Sequence, residues 1–381
     1  MKEPLFHIVK RDAVPWWQAW LVRIGAVVAA ILACALVTVL LTGQNPVDVL
    51  LTMADGAAGT PRRLWALAQN TAILLCIALA VTPAFKMRFW NTGAEGQVLA
   101  GALSTAACMI FLTRFFTVEN ADGTVSAAGN VWLLYVIMIA AAILSGALWG
   151  VIPAFFKAKW NTNETLFTLM MNYVIIQIIN YFAYQWSVPK GSGAIGIINL
   201  DSKIGWFAEL FGQTYLINIL IVVGLTVALA VYLRFSKHGY EIAVVGESEN
   251  TARYIGINVK KVIIRTMILS GAICGIAGLL LVAGTDHTVS RETAGGRGFT
   301  AIMVSWMAKF DPLVMVLTSF LIVFLQKGAG EISTQLGLNK SFSDILTGII
   351  ILFIIGCEFF INYRILFNFG KKTSGKEVKT L

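Results

Sequence analysis

The stretch that decides the fold is RFWNTGAEGQ, residues 88–97, because it interrupts an otherwise apolar part of the chain. Neither residues 64–85 before it nor residues 98–113 after it contain a charged side chain. The stretch itself brings a glutamate, an asparagine, a glutamine and two glycines. A charge at the centre of a bilayer costs roughly 2.5–3.5 kcal/mol on insertion scales. If the flanking runs lie in lipid, this interruption needs a structural or functional reason.

The composition indicates a membrane protein. Only 13% of the residues are charged, and the mean hydropathy is +0.77, whereas a soluble protein contains about 25% charged residues. A helix needs about 20 apolar residues to cross the hydrocarbon core. Uncharged runs besides the two already named cover 24–47, 123–156, 165–188, 211–233 and 266–285, with shorter apolar pieces at 298–308, 312–326 and 345–357. We therefore predict an all-α polytopic protein with about ten crossings, counting 298–308 as the eighth.

The basic residues predict the orientation. If the N-terminus is cytoplasmic, most of the 29 Lys and Arg residues fall in cytoplasmic segments, as the positive-inside rule requires. We expect a cytoplasmic segment 1–23, a transmembrane domain 24–363 that includes a cytoplasmic loop 234–265, and a basic cytoplasmic tail 364–381 that touches anionic lipid. The net charge of +9 is then a topology signal, and we expect no nucleic acid partner. The scattered Cys and His residues predict neither disulfides nor a metal site.

Two interpretations of the opening stretch are open. Irregular backbone at membrane depth is tolerated where it is buried in protein or lines an aqueous cavity. Gly93 and Gly96 permit a broken helix whose next N-terminus is available to a polar ligand. Alternatively, residues 86–97 form an inner-face turn in which Glu95 caps the following helix. The two also combine, as a turn at the inner face whose polar tip folds back into the membrane.

A second interruption, GGRGFTAIMVSWMAKFDPL at residues 295–313, also pairs glycines with a short apolar element. One break lies in each half of the chain. Corresponding broken segments in two halves are typical of inverted-repeat transporters, in which they form the solute site. The sequence therefore predicts an inverted-repeat arrangement with broken or short helices.

The loop 234–265 is predicted to contain a short surface helix over residues 249–255. Ser248 is a suitable N-cap and Gly256 a suitable C-terminal residue. Glu249 and Arg253 stand four residues apart in the favourable order. A helix of two turns is marginal alone, which favours docking to a partner protein, although a solvated connector is the alternative.

Four ordered motifs resemble the permeases of ABC importers for nucleosides and simple sugars, a group related to the ribose and branched-chain amino-acid permeases. They are FWNTGAEGQVLAGAL (89–103), NETLFTLMMNYV (163–174), GYEIAVVGESENTARYIGI (239–257) and the second interruption (295–313). The likeness extends from about residue 64 to residue 363. Trp90, Thr92 and Ala243 depart from the usual pattern of the group.

The resemblance implies two sets of functional residues and no catalytic residue or metal ligand. The implied translocation-pathway residues are Phe89, Asn91, Glu95, Gln97, Asn172, Phe299 and Trp306. The implied ATPase-coupling residues are Gly239, Tyr240, Glu241, Gly246, Glu247, Asn250, Ala252, Arg253 and Tyr254.

The resemblance also implies what the chain does and with what. The chain would be a transport subunit of the cell membrane rather than an enzyme, importing nucleosides first and simple sugars second. Its partners would be an ABC ATPase, a second and different permease chain, and an extracytoplasmic binding protein or lipoprotein. The sequence lacks a G-x-x-x-x-G-K-[ST] loop, so ATP with Mg would bind the partner ATPase. An ion-coupled transporter is the rival, but it would need carboxylates in several spans, and Glu95 is the one fair candidate.

Overall fold

The computed structural model describes residues 6–11, 15–43, 45–119, 125–127, 131–187 and 194–367. Within them the chain is almost entirely helical, which confirms the all-α prediction. The helices are α1 (Trp16–Thr42), α2 (Pro46–Ala58), α3 (Pro61–Lys86), α4 (Ala94–Leu112), α5 (Val131–Trp160), α6 (Glu164–Trp186), α7 (Leu216–Phe235), α8 (Lys237–Glu247), α9 (Glu249–Tyr254), α10 (Val259–Leu281), α11 (Arg297–Met307), α12 (Pro312–Gln335) and α13 (Lys340–Asn362). One π-helical turn, Val282–Asp286, extends α10.

Two small antiparallel sheets accompany the helices and were not expected from the sequence. Strand β1 (Phe6–Lys10) pairs with β4 (Tyr363–Phe367), and β2 (Thr117–Glu119) pairs with β3 (Val125–Ala127). The basic tail that we predicted to contact lipid lies mostly outside the described residues.

Nine helices of the described part of the chain are long and apolar enough to cross a membrane. They are α1, α3, α4, α5, α6, α7, α10, α12 and α13. The remaining predicted crossing, 298–308, counted as the eighth, corresponds to α11, which has 11 residues. At ~1.5 Å per residue this helix is about 16 Å long, roughly half of the ~30 Å hydrocarbon core. The helix of this segment is therefore too short to cross by itself, contrary to the sequence-based count.

The chain divides into two compact units. One consists of residues 1–57 and 325–381, and in it α1 packs on α13. The other, residues 58–324, has α10 at its centre with α3, α4 and α5 packed around it. The family motifs noted above all lie in the second unit.

Helices α5 and α10 approach closely because glycines face each other, as their small-xxx-small spacing predicts. A methyl group added to Gly271 would overlap the carbonyl oxygen of Gly146, and one added to Gly146 would overlap that of Gly271. Gly275 faces the backbone of α5 in the same way, at Ala142. These contacts are backbone to backbone, so no flexible side chain is available to move aside.

We predict that Gly271→Ala lowers the free energy of unfolding by about 1–3 kcal/mol, the usual effect of overpacking. Thermal unfolding of the purified protein in detergent measures it. Gly224→Ala in α7 is the matched control, because nothing lies within 4 Å of the added methyl group. Equal melting temperatures for the two variants would contradict the close approach of α5 and α10.

Candidate functional site

The two sequence interruptions meet at the carboxylate of Glu95. Its Oε1 accepts the backbone N–H of Gly296 at 2.7 Å, and its Oε2 accepts that of Gly298 at 2.7 Å. Helix α11 begins at Arg297, so Glu95 caps α11, while it also lies in the first turn of α4. A helix N-terminus carries a partial positive charge that favours an anion. One buried carboxylate therefore neutralises the starts of two broken helices.

Arg297 fixes the segment before α11 to its surroundings. Its guanidinium donates to Asn70 Oδ1 in α3 at 3.1 Å and to the carbonyl oxygen of Thr293 at 3.2 Å. A buried charge needs hydrogen-bond partners, and Asn70 and Thr293 supply them for Arg297.

Asn91 and Gln97 form a second buried group. Gln97 Nε2 donates to Asn91 Oδ1 at 3.2 Å, and Asn91 Nδ2 donates to Gln97 Oε1 at 3.3 Å and to Ser270 Oγ of α10 at 3.1 Å. Asn91 Oδ1 also accepts the N–H of Gly93 at 3.1 Å. The polar side chains of the opening stretch thus satisfy each other and the adjacent backbone.

Asn172 connects the same break to α6. Its Oδ1 accepts the N–H of Gly96 at 2.9 Å, and its Nδ2 donates to the carbonyl of Thr92 at 2.9 Å. Thr92 Oγ1 in turn donates to the carbonyl of Thr165 at 3.0 Å. Asn172 therefore bridges the two sides of the break and replaces hydrogen bonds that a continuous helix would have made.

The depth of the break can be read from α6, which begins at Glu164. Thr92 bonds both to Thr165 in the first turn of α6 and to Asn172, and Gly96 also bonds to Asn172. At ~1.5 Å per residue, Asn172 lies about 12 Å further along the helix than Glu164. The turn 87–93 starts beside the end of α3 and descends into the bundle. This placement favours the combined interpretation, an end-of-bundle turn whose polar tip reaches inward.

An aromatic cluster lies where α3 and α11 end. The rings of Trp90 and Trp306 are 5.4 Å apart, and Phe85 meets both edge-on. Trp90 and Trp306 are 45% and 47% exposed. Phe299 continues the exposed face of α11 two turns before Trp306. This face is apolar and aromatic, and a polar network lies directly behind it.

The structure separates the predicted pathway residues into two groups. Phe89, Asn91, Glu95, Gln97 and Asn172 are buried, and the polar members among them hold the breaks together. Phe299 and Trp306 are exposed. The sequence reasoning missed Asn70, Ser270 and Arg297 as partners of the network. Only Arg297 had a visible signal, a lone basic residue between glycines.

The predicted coupling residues also separate into two faces. Segment 234–265 was predicted as a loop with one short helix, but it is mostly helical, since α7 ends at Phe235, α8 and α9 follow, and α10 begins at Val259. Helix α9 agrees with the predicted helix to within one residue, with Ser248 as its N-cap and Gly256 at φ +85° after it. The inward, buried residues are Gly239, Gly246 and Ala252, and the outward, exposed ones are Tyr240, Glu247, Asn250, Arg253 and Tyr254, with Glu241 half-buried.

Helix α8 lies directly against the start of the first break. A methyl group added to Gly246 would overlap the carbonyl oxygen of Lys86, the last residue of α3. His238 of α8 bonds to the hydroxyl of Tyr232 in α7 and lies 3.3 Å from that of Thr266 in α10. Burial lowers the pKa of His238, which favours the neutral form that these contacts use. A displacement of α8 would therefore reach the break through Lys86.

The structure combines two broken helices around a buried polar network with a folded segment, α8 and α9, at one end of the bundle. This is the architecture of a membrane permease. The chain belongs to the family described as the permease component of the branched-chain amino acid transport system, which matches residues 64–355. It is a multi-pass membrane protein and a transport subunit rather than an enzyme. Permeases of ABC transporters work with an ATPase and a substrate-binding component.

Several characterised permeases are similar to the chain over nearly its whole length. A glucose ABC transporter permease of Haloferax volcanii is 27% identical over 95% of this chain and 94% of its own. A guanosine ABC transporter permease of Bacillus subtilis is 27% identical, with 92% and 96% covered. A nucleoside ABC transporter permease of Lactococcus lactis is 25% identical, with 88% and 90% covered. No solved structure matches the chain.

We predict that Asn172→Ala lowers the free energy of unfolding by about 2–4 kcal/mol, because it leaves the N–H of Gly96 and the carbonyl of Thr92 buried without a partner. Thermal unfolding in detergent measures the loss. The control is Asn180→Ala in the same helix, where the exposed Asn180 bonds only to Gln177 at 3.2 Å. If both variants have the melting temperature of the wild type, the bridge that Asn172 forms across the break does not stabilise the fold.

Proposed function

We propose that this chain is one of two permease subunits of an ATP-driven importer for nucleosides. The observation that supports it most directly is the exposed aromatic pair Trp90 and Trp306, whose ring centroids are 5.4 Å apart, beside Phe85 where α3 and α11 both end. Flat aromatic surfaces stack on a nucleobase. Two of the three relatives described above are named for guanosine or nucleosides.

Simple sugars are the second candidate substrate class. The glucose permease of Haloferax volcanii has 27% identity to this chain, and an aromatic face also packs against the apolar face of a sugar ring. The buried polar residues do not discriminate between the two, because Asn91, Gln97 and Asn172 bond within the protein. Discrimination therefore rests on the exposed side chains of the breaks and on the binding component that delivers the solute.

The proposed orientation places both termini in the cytoplasm. Helix α11 begins inside the bundle, next to the carboxylate of Glu95, and Trp306 in its last turn contacts Phe85 near the end of α3. The irregular segment after α10 together with α11 thus leads from one end of the bundle to the other, although α11 alone does not. This combined segment would complete a passage that the helix of 298–308 does not make alone, and α8 and α9 lie on the cytoplasmic side.

In this proposal the outer face of α8 and α9 docks on the ATPase, which binds ATP with Mg. The inner face transmits the motion, since Gly246 contacts Lys86 and the chain then enters the break. The second permease would be a related but different chain, and an extracytoplasmic protein or lipoprotein would deliver the solute. Weak binding in the permease itself is expected, because a tight site would slow release.

The docking role predicts that Tyr254→Ala reduces ATP-driven uptake at least tenfold and leaves the melting temperature unchanged, because Tyr254 is 93% exposed. Uptake by vesicles that contain the whole transporter measures it. The control is Tyr184→Ala, an exposed tyrosine at the far end of α6. Full uptake by Tyr254→Ala vesicles would show that this face does not carry the coupling.

The substrate class is tested by competition. Vesicles with the complete importer should take up labelled guanosine or adenosine when ATP is present inside, and unlabelled nucleosides should compete while glucose and ribose at the same concentration should not. Trp90→Ala and Trp306→Ala should each reduce nucleoside uptake severalfold without changing the level of assembled transporter. Competition by glucose but not by nucleosides would assign the sugar class instead.

A further inference from the structure

A charged cavity lies at the end of the bundle where α3 and α7 terminate. Its volume is about 320 Å³, the volume of roughly ten water molecules. Three basic residues from three different elements line it: Lys86 at the end of α3, Arg234 in the last turn of α7, and Lys309 in the turn between α11 and α12. The cavity therefore collects positive charge from parts of the sequence that are far apart.

The carboxylate that lines this cavity caps a helix. Asp311 lines the cavity, but its Oδ1 accepts the N–H of Leu313 at 2.9 Å and thereby caps α12. Among the described residues, no carboxylate forms an ion pair with Lys86, Arg234 or Lys309. The cavity has three cations against one carboxylate, which is complementary to an anion.

Two backbone hydrogen bonds hold the turn that carries Lys309. Phe310 N–H bonds to the carbonyl of Ser305 at 3.0 Å and Lys309 N–H to that of Trp306 at 2.9 Å, the hydrogen-bond pattern of a Schellman motif. Lys309 itself has φ +52°, a conformation that a lysine rarely adopts. The same pattern, with Arg88 at φ +61°, ends α3. The position of Lys309 at the cavity is therefore fixed by the backbone.

A second, apolar groove shares the side chain of Leu313 with the cavity. Its volume is about 580 Å³, and it lies between α3, α7 and α12, the helices whose ends frame the charged cavity. Apolar side chains dominate the groove, namely Leu64, Leu67, Leu75, Val223, Val316, Leu317 and Phe320. The two spaces thus combine a cationic end with an apolar channel along the membrane-crossing helices.

We propose that this composite site binds one anionic glycerophospholipid. The phosphate would lie among Lys86, Arg234 and Lys309, and an acyl chain would occupy the groove beside Leu313. Basic pockets between membrane helices are suited to anionic headgroups. A soluble phosphate compound would use the cavity but not the groove. The proposal depends on the chain spanning a membrane and is independent of the transported substrate.

The lipid would also have a mechanical role. Lys86 is the residue against which α8 packs through Gly246, and it immediately precedes the first break. An anionic headgroup bound there would link the ends of α3 and α7 and the start of α12. The site therefore lies between the coupling segment and the broken helices, where its occupancy affects how firmly they are connected.

The test measures lipid retention by the full-length protein in detergent with native mass spectrometry. Dioleoyl phosphatidylglycerol should be retained over dioleoyl phosphatidylcholine by on the order of a hundredfold, from three basic residues near one phosphate. The triple variant Lys86→Gln, Arg234→Gln and Lys309→Gln should lose that preference. The matched control Lys237→Gln, Lys260→Gln and Lys261→Gln removes the same charge from exposed residues outside the cavity and should keep it.

A second variant tests the apolar half. Ala68 lines the groove and is remote in sequence from the basic residues, so Ala68→Trp should fill the groove and reduce retention of the long-chain lipid at least tenfold. Displacement of the lipid by an equal concentration of glycerol phosphate would overturn the proposal in favour of a soluble anion. Equal loss in the two charge variants would overturn it in favour of unspecific attraction. If Ala68→Trp keeps the lipid but prevents assembly with the second permease, the groove is a protein interface and the proposal is wrong.

Discussion

The rest of the structure depends on one constraint, the capping of α11 by the carboxylate of Glu95. A broken helix in a membrane exposes amide groups that neither water nor lipid can satisfy. The first break supplies Glu95 and the second supplies the N–H groups of Gly296 and Gly298. Neither break is stable without the other, because an isolated carboxylate and isolated amides would each be buried without a partner. The two interruptions of the sequence therefore form a single structural unit.

This constraint changes how the polar residues of the break contribute to transport. Asn91, Gln97 and Asn172, which the sequence analysis assigned to the translocation pathway, hold the backbone of the break in place. The exposed side chains beside them are Trp90, Phe299 and Trp306. In the proposed transporter, a rigid, hydrogen-bonded interior behind an apolar surface would allow solute to pass without tight binding. Under the same proposal, a displacement of α8 against Lys86 would move the break as one rigid unit.

The sequence predicted the helical fold and the surface helix well, because long uncharged runs and local capping residues act within a few turns of chain. Ser248 and Gly256 are examples. It did not predict which side chains meet across the breaks, since Glu95 and Gly298 are more than 200 residues apart. It also miscounted 298–308 as a helix that crosses by itself, because an apolar run does not reveal that its helix starts inside the bundle. The inverted-repeat arrangement stays a prediction.

The central claim is tested most directly by residue-resolved amide hydrogen exchange of purified wild type, Glu95→Gln and Glu95→Ala protein. In the wild type the amides of Gly296 and Gly298 should be strongly protected. In Glu95→Ala they should exchange at least a hundredfold faster, while the amides of α5 keep their protection, and Glu95→Gln should lie between because one acceptor oxygen remains. Unchanged protection of Gly296 and Gly298 in Glu95→Ala would contradict the claim that this carboxylate joins the two broken helices.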